Sequence, residues 1–185
     1  MHTGKLIVGT TMSLDGFIND RQGSVDALYP NLEALRETEF LQESIRTTGA
    51  VIMGRHAYDM AAGDLTGYEY QVPIFVLTHH PPATPPKGQN ANLRVTFVTE
   101  GVGHAVAQAR AAAGARDVQV VGGAATAQQI LAAGLADELL IGIVPALLGG
   151  GLRFFPPGGL ESLALEHIET IESPGRTDLR FRIRH

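Results

Sequence analysis

The chain has 185 residues, a length that suits one domain with a sizeable core. Hydrophobic residues make up 44% and charged residues 18%, which excludes a disordered or fibrous chain, and a net charge of −5 argues against a general nucleic-acid surface. There is no cysteine, so disulfides, thiolate catalysis and cysteine zinc sites are excluded together.

The seven histidines form no His-x-x-x-His pair, and no metal is expected. Lys5 is followed by only a short apolar run, broken by Gly9 and Thr10, so no signal peptide is expected. No apolar stretch is long enough to span a bilayer, which makes the cytoplasm the expected location.

Residues 5–12 (KLIVGTTM) predict a buried first strand, and 13–25 a loop marked by Asp15-Gly16 and Gly23. Residues 31–48 predict one helix with Leu32, Leu35, Leu41 and Ile45 on a shared face. Residues 50–53 (AVIM) predict a strand, with a helix starting at Arg55. Residues 72–78 predict another strand, running into a loop with Pro81, Pro82, Pro85 and Pro86. A strand at 95–98, an Ala-rich helix at 102–113 and a strand at 117–121 follow. That strand ends in Gly122-Gly123, and a second Ala-rich helix runs to Ala133. Residues 138–144 predict a long apolar strand and 147–159 a Gly/Pro-rich loop. Two last strands, near 163–172 and 179–184, flank Ser173-Pro174-Gly175 and predict an antiparallel hairpin. Arg180, Arg182 and Arg184 alternate there with Leu179, Phe181 and Ile183, which reads as the wet face of a half-buried strand. The alternation of strands and helices predicts an α/β domain: a mainly parallel sheet covered on both faces, made mixed by the hairpin.

Three strand ends carry chemistry, and open α/β sheets bind ligands at the carboxyl ends of their strands. Gly54-Arg55-His56 follows AVIM; a helix start there offers free N–H groups and a partial positive charge, and Arg55 a planar fork for phosphate. Gly122-Gly123-Ala124 opens a second helix, with Ala125 and Thr126 in its first turn, an arrangement suited to a pyrophosphate. Thr78-His79-His80 could line the adenosine end of a dinucleotide. An ordinary glycine turn, a close-packed turn and a solvated loop entry remain open for the three sites taken singly. Neither a Walker A motif nor a Gly-x-Gly-x-x-Gly fingerprint is present.

These elements, in this order, resemble the dihydrofolate reductase superfamily, especially the C-terminal reductase domain of the riboflavin-biosynthesis protein RibD. The resemblance is carried by Ser13-Leu14-Asp15-Gly16, Val51-Ile52-Met53-Gly54-Arg55-His56, Val120-Val121-Gly122-Gly123, and Asp137-Glu138-Leu139 with the later Pro145-Ala146-Leu147-Leu148-Gly149-Gly150-Gly151. It implies a three-layer α/β/α fold with NADPH bound across the sheet. Arg55 and His56 would then lie near the phosphates, Thr78 and His79 near the 2′-phosphate, and Gly122, Gly123, Ala124, Ala125 and Thr126 around the pyrophosphate. Thr11 and Met12 would flank the nicotinamide. The matched adenosine positions carry no acid, which favours NADPH over NADH.

Reduction also needs a proton. Asp15, on the loop beside the first strand, is the first candidate for an active-site acid or substrate anchor. Glu39 and Arg153 are further substrate-binding candidates. The expected substrate is a heterocycle of the riboflavin-precursor type, as for a 5-amino-6-(5-phosphoribosylamino)uracil reductase; a dihydrofolate or pterin reductase and a non-catalytic NADPH-binding homologue are the alternatives. Thr38 stands at the matched position of the pterin-holding acid, and Val121 where riboflavin reductases commonly have Glu. The resemblance further implies a homodimer.

Overall fold

Strand alternation places residues on two faces, and the computed structural model, which describes residues 4–158, 160 and 163–184, shows both faces used. The elements run β1 (Leu6–Ser13), a 3-10 turn (Asp26–Leu28), α1 (Leu32–Arg36), α2 (Glu39–Thr47), β2 (Thr48–Gly54), α3 (Arg55–Met60) and β3 (Ile74–Leu77). Then follow β4 (Val95–Val98), α4 (Val102–Ala113), β5 (Asp117–Val121), α5 (Ala124–Ala132), β6 (Glu138–Val144), β7 (Ala164–Ser173) and β8 (Arg176–Arg184).

The eight strands form one sheet in the order β4-β3-β2-β5-β1-β6-β8-β7. Pairs from β4 through to β6 are parallel, while β6–β8 and β8–β7 are antiparallel. The expected mixed, mainly parallel sheet with a terminal hairpin is therefore observed. The proposed 147–159 loop ends on a residue outside those described.

In β2, Ala50 and Ile52 join the core under α4 and α5, with Leu6, Val8, Val118 and Val120. Val51 and Met53 join a second core on the opposite face, with Tyr58 of α3, Ile74 and Val76. Every residue of β2 is buried, as expected for a strand covered on both sides. The alanines of α4 explain its close seat: Ala105, Ala109 and Ala113 lie on the buried face and present little bulk. The second core is centred on β2 and β3 and reaches β5 only at Val121; further along, the same face of β5, β1 and β8 carries Gln119, Thr11 and Asp178. A cavity opens there.

One helical expectation is corrected. Residues 31–48 are two helices, because Thr38 takes extended backbone angles (φ −67°, ψ 141°) and caps α2. Its hydroxyl accepts from the Leu41 amide at 3.2 Å and donates to the Leu35 carbonyl at 2.7 Å. The hydroxyl satisfies an otherwise orphan amide, and this outweighs continuing the helix. The arginine face of β8 is also only partly wet. Arg182 and Arg184 are exposed and pair with Glu166, but Arg180 turns to Glu138, which is 1% exposed. Lys5 Nζ meets the other Glu138 oxygen at 2.5 Å.

Glu138 therefore ties the start of β1 to β8 across β6. Replacing it with alanine should strip Lys5 of this carboxylate and leave Arg180 only its longer 3.3 Å pair with Glu169, and cost about 2 kcal/mol, because both cations remain partly hydrated. Urea unfolding of E138A checks this; a loss below about 0.5 kcal/mol would contradict it.

Candidate active site

The junctions at the ends of β2 and β5 touch. A Cβ on Gly54 would lie 2.7 Å from Thr126 Oγ1 and 3.3 Å from Gly123 Cα. Gly54 has ordinary extended angles (φ −79°, ψ 159°), so space rather than conformation calls for glycine there. Gly122 and Gly123 are different: their φ values of 74° and 85° lie in the left-handed region. Together the pair bends the chain from β5 into α5, and the first turn of α5, Ala124 to Thr126, lines the cavity. First-turn amides have no acceptor inside their own helix, so this turn offers donors and a partial positive charge to a ligand.

Arg55 bridges two junctions. Its Nε donates to Asp59 at 2.7 Å and its Nη1 to the His80 carbonyl at 2.5 Å, which pins the loop after β3 against α3. The Thr78 hydroxyl is buried and engaged with the His80 backbone, whereas His56, His79 and His80 are exposed at the rim. Gly54, Arg55, His56, Thr78, His79, Gly122, Gly123, Ala124, Ala125 and Thr126 thus all line one cavity of about 1110 Å³. Thr11 lines it too. Met12 does not: strand alternation turns it to the other face, where it packs against the core. Thr99 and Gly101, at the end of β4, extend the same rim and were missed in the sequence.

The remaining wall is built from Val25 and Tyr29 on either side of the 3-10 turn, α1, α2, Tyr68, Tyr70 and β8. Two polar groups are set into it. Arg176 Nε donates to Asp178 Oδ2 at 3.0 Å and Nη1 to Thr11 Oγ1 at 2.8 Å. Asp178 is 1% exposed; its Oδ1 lies 2.9 Å from Arg176 Nη2 but out of line for a hydrogen bond. The second group is Gln119, whose Nε2 donates to Ser44 Oγ at 3.4 Å, with Ser44 Oγ 3.1 Å from the Tyr70 hydroxyl. Burial raises the Tyr70 pKa, with the Ser44 hydrogen bond and the Arg176 charge acting in the opposite direction.

The three substrate-side candidates from sequence lie elsewhere. Asp15 is outside the cavity lining. Its Oδ1 accepts from the Ser13 hydroxyl at 2.6 Å and the Leu148 amide at 3.1 Å, and its Oδ2 accepts from the Gly149 amide at 2.8 Å. These donors, Ser13 above all, hold its pKa at about 2 against a smaller opposing effect of burial. A carboxylate so stabilised is a poor proton donor at neutral pH; it is the anchor of the 147–151 loop. Glu39 is an exposed residue in the first turn of α2, favourable there for the helix dipole. Arg153 stacks on Phe17 at 4.4 Å and donates to the Asp15 carbonyl at 3.3 Å, bracing one loop on the other.

Arg176 and Asp178 were visible in the sequence as an Arg-x-Asp pair just after the Pro174-Gly175 turn, on one face of a strand. The alternation of Tyr68 and Tyr70 was a similar signal. Neither announces a cavity without knowing which elements stand opposite.

Structural comparison defines the class first. Dihydrofolate reductase from Enterococcus faecalis complexed with NADP(H) superposes with a TM-score of 0.63 over 99% of this chain and 98% of that one, at 17% identity. The fold is thus dihydrofolate-reductase-like. The deaminase/5-amino-6-(5-phosphoribosylamino)uracil reductase of Thermotoga maritima gives 0.74 at 14% identity, over 98% of this chain and 57% of that one. A putative riboflavin biosynthesis protein from Shewanella sp. PV-4 gives 0.77 at 26% identity, over 98% and 99%. The RibD C-terminal domain family matches residues 4–174, and the chain belongs to that family.

If Asp15 anchors a loop, Asp15→Ala should speed hydrogen exchange at the Leu148 and Gly149 amides while any turnover falls less than about tenfold. A general acid would cost about 100-fold or more. The lowered pKa means the anchor is present throughout neutral and mildly acidic pH and is lost only as pH falls through about 2.

Proposed function

We propose that the chain is an NADPH-dependent reductase that delivers a hydride to a heterocyclic substrate. The observation that carries this is the single cavity joining the β2, β3 and β5 strand ends and the first turn of α5 to the Arg176, Gln119 and Tyr70 groups. The residues present fit a dinucleotide. The first turn of α5 presents amides suited to a pyrophosphate, Arg55 borders it with a partly exposed guanidinium although Asp59 takes its Nε, the three exposed histidines add neutral or positive partners, and the two acids among the described lining residues, Glu69 and Asp178, lie on the other wall. Membership of the RibD C-terminal domain family supports the same reading.

Bound there, the cofactor would supply a hydride; the protein binds, orients and excludes water. Thr11 stands where the two walls meet, lining the cavity while holding Arg176. On this reading the polar groups of the wall opposite are available to the acceptor of the hydride. Tyr70 is the candidate for holding the proton: Ser44 orients its phenol, which is protonated at neutral pH with or without the upward push of burial. We extend the proposal to a homodimer through the sheet edge, where β7 exposes Leu165 and Ile168; sedimentation at two concentrations tests it.

Titration of NADPH against protein or cofactor fluorescence should show binding at micromolar concentration, with NADH weaker. Absence of binding by either would sink the proposal. Ala125 is exposed in the first turn of α5, so Ala125→Asp should weaken NADPH binding about tenfold or more by charge repulsion. The same acid favours the helix start, so stability should stay level or rise slightly. NADPH oxidation across pterins, aminopyrimidines and small carbonyls separates an enzyme from a cofactor-binding protein without turnover.

A further inference from the structure

Accepting the reductase reading, the wall opposite the glycine junctions speaks to the substrate. Leu35, Phe40, Leu41, Tyr68 and Tyr70 make it largely apolar and aromatic. Leu32 and Tyr29 also line it, yet are 38% and 37% exposed, so apolar surface stands uncovered on the cavity side of the protein. Such surface gains from a flat ring laid against it.

Among the described lining residues, the cations are Arg55, at the junctions, and Arg176. Arg176 is no free anion receptor. Asp178 cancels its charge, and the pair is buried, with side chains 12% and 1% exposed. Glu69 adds a further carboxylate to this wall and is itself held by Arg36. Of the two helices on this wall, α2 has its first turn capped by Thr38, and α1 is only five residues long. A phosphate brought to this wall would lose its hydration without a cation or amide cradle to replace it.

What Arg176 retains is directional. Of its N–H donors, one goes to Asp178, one to Thr11, and another faces Asp178 Oδ1 out of line. The donors left over suit a neutral acceptor such as a ring carbonyl. Room for the pair is built in: a Cβ on Gly142 of β6 would lie 2.9 Å from Asp178 Oδ1 and 3.1 Å from Arg176 Cζ.

We infer that the substrate wall takes a neutral, flat, carbonyl-bearing ring without a phosphate, and that Arg176, oriented by Asp178 and Thr11, donates to the ring carbonyl. The phosphorylated riboflavin-precursor type is then the wrong form of the ring for this site.

The test is calorimetric binding to NADPH-free wild-type protein of two probes that differ by one group, 5-amino-6-ribosylaminouracil and its 5′-phosphate. The dephosphorylated probe should bind, and the 5′-phosphate should bind about tenfold more weakly or worse. Equal or tighter binding of the 5′-phosphate, or no binding of either probe, overturns the inference. Because NADPH is absent, that failure is distinct from failure of the reductase reading, which the NADPH titration decides.

For the role of Arg176, R176Q/D178N removes both charges together and leaves no buried carboxylate without its partner. It should keep its circular dichroism and lose about tenfold or more in affinity for the dephosphorylated probe. R176K, which keeps a charge beside Asp178, serves as the second variant and should also weaken binding, since one ammonium cannot serve Asp178, Thr11 and a carbonyl at once. Unchanged affinity in either folded variant overturns the assignment.

Discussion

The contact between Gly54 and Gly123 constrains everything around the site. Two strand ends from different parts of the chain meet with no side chain between them, and the Thr126 hydroxyl fills the remaining space. A methyl group on either glycine would push the β2–α3 and β5–α5 junctions apart. Their closeness sets the position of the α5 first turn relative to Arg55. Arg55 in turn fixes the loop after β3 through the His80 carbonyl. One steric contact thus gathers three separate strand ends along one rim.

The other half of the cavity has a different origin. It exists because the second core, centred on β2 and β3, goes no further than Val121 of β5, while β1, β6 and β8 continue the sheet beyond it. Several residues of these strands on that face are polar and held by neighbours: Gln119 by Ser44, Arg176 by Asp178 and Thr11. Buried polar groups held in this way are costly to leave unpaired, and so they are rigidly oriented. The site therefore combines a backbone cradle with a side-chain wall, and Thr11 belongs to both.

Much of the architecture could be read from the chain. The strands of 95–98, 117–121 and 138–144 and the helix of 102–113 are observed at their expected bounds, because apolar runs bounded by glycine or charge leave few alternatives. The helix of 31–48 was misread because a hydroxyl cap competes with helical periodicity, and periodicity alone cannot weigh the two. On the cradle side, strand-end glycines are local signals, and they were legible. The wall opposite was not. Asp15, Glu39 and Arg153 are charged residues near the right segments, but a loop amide, solvent and a phenyl ring respectively account for them. Arg176 and Asp178 come from the far end of the chain and reach the cavity only because β8 pairs antiparallel with β6, two strands from β5. That placement is a property of topology, which local sequence does not encode.

The two walls draw on different stretches of chain. The cradle uses segments around 54–57, 78–80, 99–101 and 122–126; the wall opposite uses 29–44, 68–70 and 176–178. A substitution in α1, α2 or the start of β8 leaves the backbone amides of α5 untouched. Selection can therefore act on the two walls as nearly separate traits, so that changes in the hairpin and the helix pair can reshape the one while the other is inherited whole.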